Sequence, residues 1–198
     1  MSPRTKEQYT ELRSQSKSII EAAALELFGH QGYMNTSIAQ IAQKAGVSKG
    51  LLYNYYSGKS ELLKSILLSA MEHGDQMLSP DQFVGKSPVQ MLEYIVDESF
   101  QMITTNVSYW KLLASLSFQE DIMQELTEII QQKIRLGIEF ISPVFESLGY
   151  PDPVGQAYLF GAAMDGILYH FVTLVQDYPL ENTIKLFKQN FCKPYSAL

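Results

Sequence analysis

The feature that most constrains how this chain folds is a tight turn, Ala45-Gly46-Val47-Ser48, between two short helical segments. The first segment follows Thr36, its predicted N-cap, and ends at Gly46, which tolerates the left-handed backbone that closes a helix. Ser48 is a typical N-cap residue and begins the second segment, which is predicted to end near Asn54. Two short helices joined by such a turn are the sequence form of a helix-turn-helix.

Helical periodicity dominates the rest of the chain, and no stretch shows the sustained alternation of a strand. Besides the two motif segments, helices are predicted over about residues 9–29, 57–78, 88–105, 108–117, 121–148, 153–176 and 180–192. Pro143 falls within one of them and is expected to kink or split it. Residues 79–88 form the clearest linker, and Ser87-Pro88 at its end is a typical helix start. The predicted fold is all-α.

The charged residues are distributed unevenly along a chain whose net charge is −6. Residues 1–72 carry eight basic and six acidic side chains, whereas residues 73–198 carry seven basic and fifteen acidic ones. Such an asymmetry indicates that the N-terminal part meets a polyanion and the C-terminal part does not. The turn motif lies in the basic part, and its second helix has polar residues, Lys49 and Asn54, that suit phosphates and base edges.

Several protein classes are excluded by signals that the sequence lacks. The lone Cys192 allows no disulfide framework and no cysteine-rich metal site, and His30, His73 and His170 have no second His within a helical turn. No metal or cofactor is therefore predicted. Signatures such as G-x-S-x-G, a glycine-rich phosphate loop and H-E-x-x-H are missing, so no enzyme is predicted. Uncharged stretches are too short for a membrane span and the polar N-terminus has no apolar signal segment, so a cytoplasmic protein is expected.

A specific pattern of residues surrounds the turn. Its members are Thr36-Ser37, Ile41-Ala42, Ala45-Gly46-Val47-Ser48, Gly50, Leu52-Tyr53, Tyr55, Lys59 and Leu62. With them, residues 15–70 resemble the tetracycline-repressor (TetR) family of bacterial regulators. The resemblance implies a three-helix helix-turn-helix DNA-binding domain over residues 1–58 and a helical ligand-binding and dimerisation domain over residues 59–198. It also implies three partners: a double-stranded DNA operator, a small-molecule inducer and a second copy of the chain.

The resemblance also implies which side chains would meet DNA. Hydroxyls at the start of the first motif helix would bind phosphate, and the start of the second helix would enter the major groove. Tyrosines and a lysine beyond it would bind flanking phosphates, and an asparagine would reach a base edge or a phosphate. The predicted DNA-binding residues are Thr36, Ser37, Ser48, Lys49, Gly50, Tyr53, Asn54, Tyr55 and Lys59.

Two residues depart from the family pattern. Tyr56 replaces the usual Phe, and its ring can fill the same core position only if its hydroxyl finds water or a partner. Leu51 replaces a frequent small polar residue and could meet a thymine methyl group or nothing. At the N-terminus, Arg4 and Lys6 would form either an arm that reaches a minor groove or a frayed end.

Aromatic, methionine and polar residues of the C-terminal part are candidates for an inducer pocket. The pair Tyr109-Trp110 is the best candidate because each ring combines an apolar face with a polar group. Asp165 and His170 interrupt an apolar run, so they would be polar pocket contacts or a paired buried group at a helix interface. The predicted ligand-binding residues are Tyr109, Trp110, Met102, Phe118, Asp165 and His170, for an apolar or cationic-aromatic inducer. Any one of them would also suit a plain core.

The last two predicted helices are apolar enough to pair with a second copy of the chain. In the family that the chain resembles, these helices form a four-helix bundle across a two-fold axis, and small residues here allow close approach. The predicted dimer-interface residues are Gly161, Met164, Leu168, Phe171 and Phe187. A single buried helix pair within one chain would show the same pattern.

Together these observations predict a ligand-responsive transcriptional regulator, a repressor that binds a palindromic operator as a homodimer. A small-molecule inducer would release it, and the helix near residues 58–78, which joins the two domains, is the expected lever. The alternative is a helix-turn-helix protein whose C-terminal domain binds a protein partner rather than a small molecule. Titrating the DNA complex with small molecules distinguishes them, because only the repressor should be released.

Overall fold

The computed structural model describes residues 6–116, 120–174 and 177–196, and no strand occurs in these ranges. In chain order the α-helices are α1 (Lys6–Gln31), α2 (Ile38–Lys44), α3 (Lys49–Tyr53), α4 (Lys59–Met77), α5 (Pro88–Thr105), α6 (Val107–Leu116), α7 (Glu120–Ser147), α8 (Pro153–Leu174) and α9 (Leu180–Phe191). A short 3-10 helix, Pro80–Phe83, lies in the predicted linker. The all-α prediction is confirmed.

Serine residues in capping boxes mark where two of these helices begin. The Ser87 hydroxyl accepts a hydrogen bond from the Gln90 backbone, and the Gln90 side chain accepts one from the Ser87 backbone, as a capping box. Helix α2 has the same arrangement with Ser37 as its N-cap, so the prediction of Thr36 as the cap is wrong. The reason is that the Thr36 hydroxyl is turned inward, where it donates to the Gly32 carbonyl at 2.8 Å.

Helix α7 continues through Pro143, so of the two expectations, a kink or a split, the split is wrong and the kink stays a prediction. Proline removes one backbone donor and frees carbonyls in the preceding turn. The residues that follow, Val144 and Phe145, are buried in the core, and this packing holds the last turns in place.

Two hydrophobic cores organise the described residues. The first core is formed by α1 to α4 together with one face of α6; its members include Ile20, Ala24, Phe28, Ile41, Leu52, Tyr56, Leu62, Leu67, Tyr109, Leu112 and Leu116. The second core is formed by α5, α7, α8 and α9; its members include Leu92, Val96, Phe100, Phe145, Phe160, Ile167 and Phe187. Trp110 packs against both cores. The first core therefore continues past residue 58, and the division at residues 58 and 59 stays a prediction.

Helices α1 and α6 approach each other at backbone distance. A Cβ atom added to Gly29 of α1 would lie 2.8 Å from the backbone oxygen of Ser108 in α6. Real Cβ atoms essentially never come so close, and the obstructing atom belongs to the backbone, which cannot rotate away. Only glycine fits this contact as it stands.

We expect Gly29→Ala to lower the free energy of unfolding by about 1–3 kcal/mol, because the added methyl group must force α1 and α6 apart. The matched control is Gly137→Ala in α7, where an added Cβ would meet no atom within 4 Å. That substitution should raise stability by about 0.5–1 kcal/mol through helix propensity alone. Thermal and urea unfolding measure both. A Gly29→Ala protein as stable as the control would contradict the tight contact.

Candidate nucleic-acid interface

Helices α2 and α3 and the turn between them form a helix-turn-helix held by local hydrogen bonds. Gly46 has a φ of +67°, the left-handed conformation that the sequence predicted for it. The Val47 backbone N–H donates to the Ala42 carbonyl at 3.0 Å, and the Ser48 hydroxyl accepts from the Leu51 backbone at 3.1 Å. Leu52 is fully buried and anchors α3 to the first core. The turn and the inner side of α3 are thereby fixed, while the outer side stays open.

Most of the predicted DNA-binding residues lie on the open side. Ser37, Ser48, Lys49, Gly50, Tyr53 and Asn54 are exposed, and Tyr55 and Lys59 are half-buried. The Tyr53 side chain is 54% exposed, which is unusual for a large aromatic residue and leaves its ring and hydroxyl accessible. Thr36 differs from the rest, because it is only 2% exposed and its hydroxyl also accepts from the Gln31 amide at 3.1 Å. Its hydroxyl therefore stabilises the turn from within.

The charge of this surface has a feature that the sequence analysis missed. Residues 27–60 contain no Asp or Glu, although the whole chain has 21 of them, and they contain Lys44, Lys49 and Lys59. The charge of Lys44 is offset by Glu26, which lies just before this stretch, because the two charged groups are 2.6 Å apart. The same contact lowers the pKa of the Glu26 carboxyl. Lys49, at the start of α3, is exposed. An acid-free stretch of this length was visible in the sequence and points to a polyanion.

The Tyr56 ring fills a core position where the family usually has Phe, and its hydroxyl has the partner that this position requires. The hydroxyl donates to the Glu21 carboxylate at 2.7 Å, and the Ser65 hydroxyl donates to the same oxygen at 2.6 Å. Burial, followed by the bond to Glu21, raises the pKa of Tyr56 well above its usual range. This shared acceptor joins α1, the segment after α3, and α4.

Lys59 has a structural role that the sequence did not reveal. Its ammonium donates to the Tyr33 carbonyl at 2.8 Å and lies 4.6 Å from the centre of the Tyr33 ring. Partial burial lowers the pKa of Lys59. Lys59, the first residue of α4, is therefore hydrogen-bonded to the turn that precedes α2. A phosphate contact would require the ammonium to share or leave this carbonyl.

The predicted ligand-binding residues are only partly brought together. Tyr109 is buried in the first core, and this burial raises its pKa to about 12. The Trp110 ring meets the Tyr109 ring edge-on, with 5.2 Å between centres, and its buried Nε1 has no hydrogen-bond partner in the described part of the chain. Met102 is half-buried on α5. Phe118 lies outside the described residues.

Asp165 and His170 are exposed residues of α8 in the single chain, and their assignment to an inducer pocket or to a helix interface stays a prediction. Each side chain lies on the exposed side of α8, because the inward side of that helix is occupied by Phe160, Ile167 and Val172. Partial desolvation raises the pKa of Asp165. The sequence could not show which way α8 faces, since the helix is apolar on most sides.

Helix α8 carries an exposed apolar stripe that differs from the predicted dimer residues. Large exposed side chains on it include Tyr158, Leu159 and Tyr169, at 55%, 56% and 48% exposure. Phe187, predicted for the interface, is only 5% exposed and stacks on Phe191 within the second core, so it offers little surface to a partner and its interface role stays a prediction. The others, Met164, Leu168 and Phe171, are half-buried against the same core, and a Cβ on Gly161 would meet no atom within 4 Å.

By length and composition alone, α8 is also the one described helix that could span a membrane, with 17% of its apolar window buried.

The chain is similar to known proteins most clearly in its N-terminal part. Residues 20–66 match the domain family of bacterial regulatory proteins of the tetR family. The HTH-type transcriptional regulator HbdR of Aromatoleum sp. (strain CIB) is 40% identical over 78 residues, which are 39% of this chain and 34% of HbdR. The chain thus covers about a third of that relative.

Solved structures extend the similarity to the remaining helices. The fatty acid degradation regulator FadR from Bacillus halodurans superimposes with a TM-score of 0.78 over 89% of this chain and 94% of FadR, at 18% identity. NalD, the secondary repressor of the MexAB-OprM multidrug efflux pump in Pseudomonas aeruginosa, gives 0.73 over 91% and 95%, at 20% identity. At sequence identities of 18% and 20%, these two structures show that the chain shares their fold. Residues 20–66 thus form a domain of the tetR family of bacterial regulatory proteins, and the remaining helices share the fold of these solved structures.

Proposed function

We propose that this protein is a transcriptional repressor that binds a palindromic operator as a homodimer and leaves it when a small-molecule inducer binds. The observation that carries the proposal is the open side of α3, which combines an exposed cation, exposed polar groups and an acid-free surrounding sequence. A protein of this kind acts in the cytoplasm, where the DNA is. It needs no metal, cofactor or catalytic group.

In this proposal the residues of the open side divide into two roles. Lys49 and Asn54 reach base edges in the major groove, where lysine suits guanine and asparagine suits adenine. Ser37, Tyr53 and Tyr55 donate to phosphates, while Ser48 and Gly50 keep the start of α3 slim enough to enter the groove. Thr36 is left out because its hydroxyl is bonded inward, and Lys59 acts chiefly by holding the turn before α2.

We expect Lys49→Ala to weaken DNA binding and to lower the slope of log affinity against log salt by about one unit, because one cation no longer displaces a counterion. Fluorescence anisotropy with labelled duplex DNA at several salt concentrations measures the slope. The matched control is Lys44→Ala, since the charge of Lys44 is already offset by Glu26 at 2.6 Å. Equal slopes for both variants and the wild type would contradict the assignment of Lys49.

The homodimer is proposed to form through the exposed stripe of α8. A row of exposed Tyr and Leu side chains is apolar surface that gains by burial against a partner. In a two-fold dimer the second copy contributes the same stripe to the interface. Gly161 and the exposed Gly166 have no atom within 4 Å of an added Cβ, so they leave room for a partner helix. A stable dimer buries over about 1,200 Å², and it would place two α3 helices one DNA turn apart, about 34–36 Å.

A charge in this stripe should separate the subunits. We expect Leu159→Lys to be monomeric at micromolar concentration and to lose binding to a two-site DNA, because its ammonium would be buried without a partner. Leu136→Lys on α7 is the control, since Leu136 is similarly exposed at 50% but lies outside the stripe. Analytical ultracentrifugation measures the mass. A monomeric wild type would contradict the dimer and would favour a different protein as the partner of α8.

The inducer is proposed to bind beside Trp110. A buried N–H without a partner is costly, so a ligand with a hydrogen-bond acceptor gains by approaching Nε1. The ring also offers its face to an apolar or cationic-aromatic compound, and the half-buried Met102 adds a polarisable contact. Because Trp110 packs against both cores, a ligand that displaces it changes how α6 sits between them. Release of DNA then requires only that the ligand prefers the displaced state.

Trp110 is the only tryptophan, so its fluorescence reports this site directly. In a panel of uncharged and cationic aromatic compounds, we expect those that release DNA to quench or shift the emission. The Trp110→Phe variant should bind them about three- to tenfold more weakly, the equivalent of one neutral hydrogen bond. An inducer that leaves the emission unchanged and binds the variant equally well would show that Trp110 is plain core. Release by no compound would favour a protein partner for the C-terminal domain.

A further inference from the structure

The N-terminal half of α1 extends beyond the first core. Among the side chains of this helix that the structure describes, Ile20 is the first that is fully buried, and Glu11 to Gln15 are all exposed. This half is polar and contributes no described side chain to either core. An exposed polar helix of this length gains little from burial, so its ordered position depends on a few specific contacts.

Two of these contacts are made by basic side chains one helical turn apart. The Arg13 guanidinium carbon lies 5.6 Å from the centre of the Tyr55 ring, and the Lys17 ammonium lies 5.5 Å from the centre of the Tyr56 ring. Both tyrosines directly follow α3. A spacing of four residues puts Arg13 and Lys17 on one side of α1, so this side faces the segment after α3.

The two cations differ in what else surrounds them. Lys17 is half-buried and lies near Glu61, whose pKa is lowered mainly by the Ser57 backbone N–H and to a smaller degree by the charge of Lys17. Arg13 is exposed, and within the described ranges no ion pair with a carboxylate is formed by it. A guanidinium that lies over a ring uses one face for that contact. Its five N–H donors point outward in its plane, where they match the oxygens of a phosphate.

We propose that Arg13 binds the phosphodiester backbone of duplex DNA next to the site read by α3, with the Tyr55 ring as its support. Tyr55 is two residues beyond the exposed Tyr53, a chain distance of at most about 7 Å, so Arg13 continues the same surface. The DNA interface thus includes α1 as well as the helix-turn-helix. This inference rests on the proposed DNA binding and adds a residue outside the motif.

The experiment measures binding of the full chain to a random-sequence DNA duplex across a range of salt concentrations, because phosphate contacts do not depend on sequence. We expect Arg13→Ala to lower the slope of log affinity against log salt by about 0.9 unit, the value for one lost phosphate contact. Arg13→Lys keeps the charge and should retain the slope. The control is Arg135→Ala, an exposed helical arginine on α7, which should bind like the wild type.

The outcomes separate this inference from the proposed function. If the wild type shows salt-dependent binding and Arg13→Ala has the same slope, Arg13 merely packs on Tyr55 and the inference is overturned alone. In that case the substitution should lower only the thermal unfolding midpoint of the protein, because a packing contact with Tyr55 is lost. If Arg13→Lys loses the slope as fully as Arg13→Ala, the charge is not what matters, which also overturns it. A wild type without salt-dependent DNA binding overturns the proposed function itself.

Discussion

Helix α6 is packed into two hydrophobic cores at once, and the arrangement of the other helices depends on it. Tyr109, Leu112 and Leu116 complete the first core, while Trp110 also touches the second. At Gly29 the backbones of α1 and α6 come so close that an added Cβ would lie 2.8 Å from the Ser108 oxygen. Since protein interiors are close-packed, a shift of α6 must be passed to α1 rather than absorbed. The helix near residues 58–78 was the expected lever between the two parts of the chain. Helix α6 connects the two cores as well, because it packs against both of them.

Features of this structure that depend on neighbours in sequence could be predicted. The left-handed Gly46, the cap at Ser48 and the start of α5 after Ser87 follow from backbone chemistry within a few residues. The polar residues Lys49 and Asn54 were expected to meet DNA, and the structure leaves both exposed while Leu52 is buried. The need of Tyr56 for a partner was also predictable, but its partner, Glu21, lies 35 residues away and no local rule identifies it.

Features that depend on tertiary packing could not be predicted. Thr36 and Ser37 are both good N-cap residues, and only the burial of Thr36 against the preceding turn decides between them. Helix α8 is apolar on most sides, so its periodicity does not show whether Phe171 or Tyr169 points inward. Phe187 on α9 was assigned to the dimer interface, although the rings of Phe160 and Phe191 pack against it in the second core. In each case the deciding contacts come from distant parts of the chain.

The separation of charge along the chain has a kinetic consequence. The basic residues near α3 and the fifteen acidic residues of positions 73–198 give the chain an electric dipole moment. In the field of a DNA duplex, a torque on this dipole turns the N-terminal helices toward the duplex and the acidic part away from it before contact. Encounters then begin in a productive orientation, and the acidic part cannot form competing, misoriented complexes. The association rate should therefore fall as added salt shortens the range of this torque.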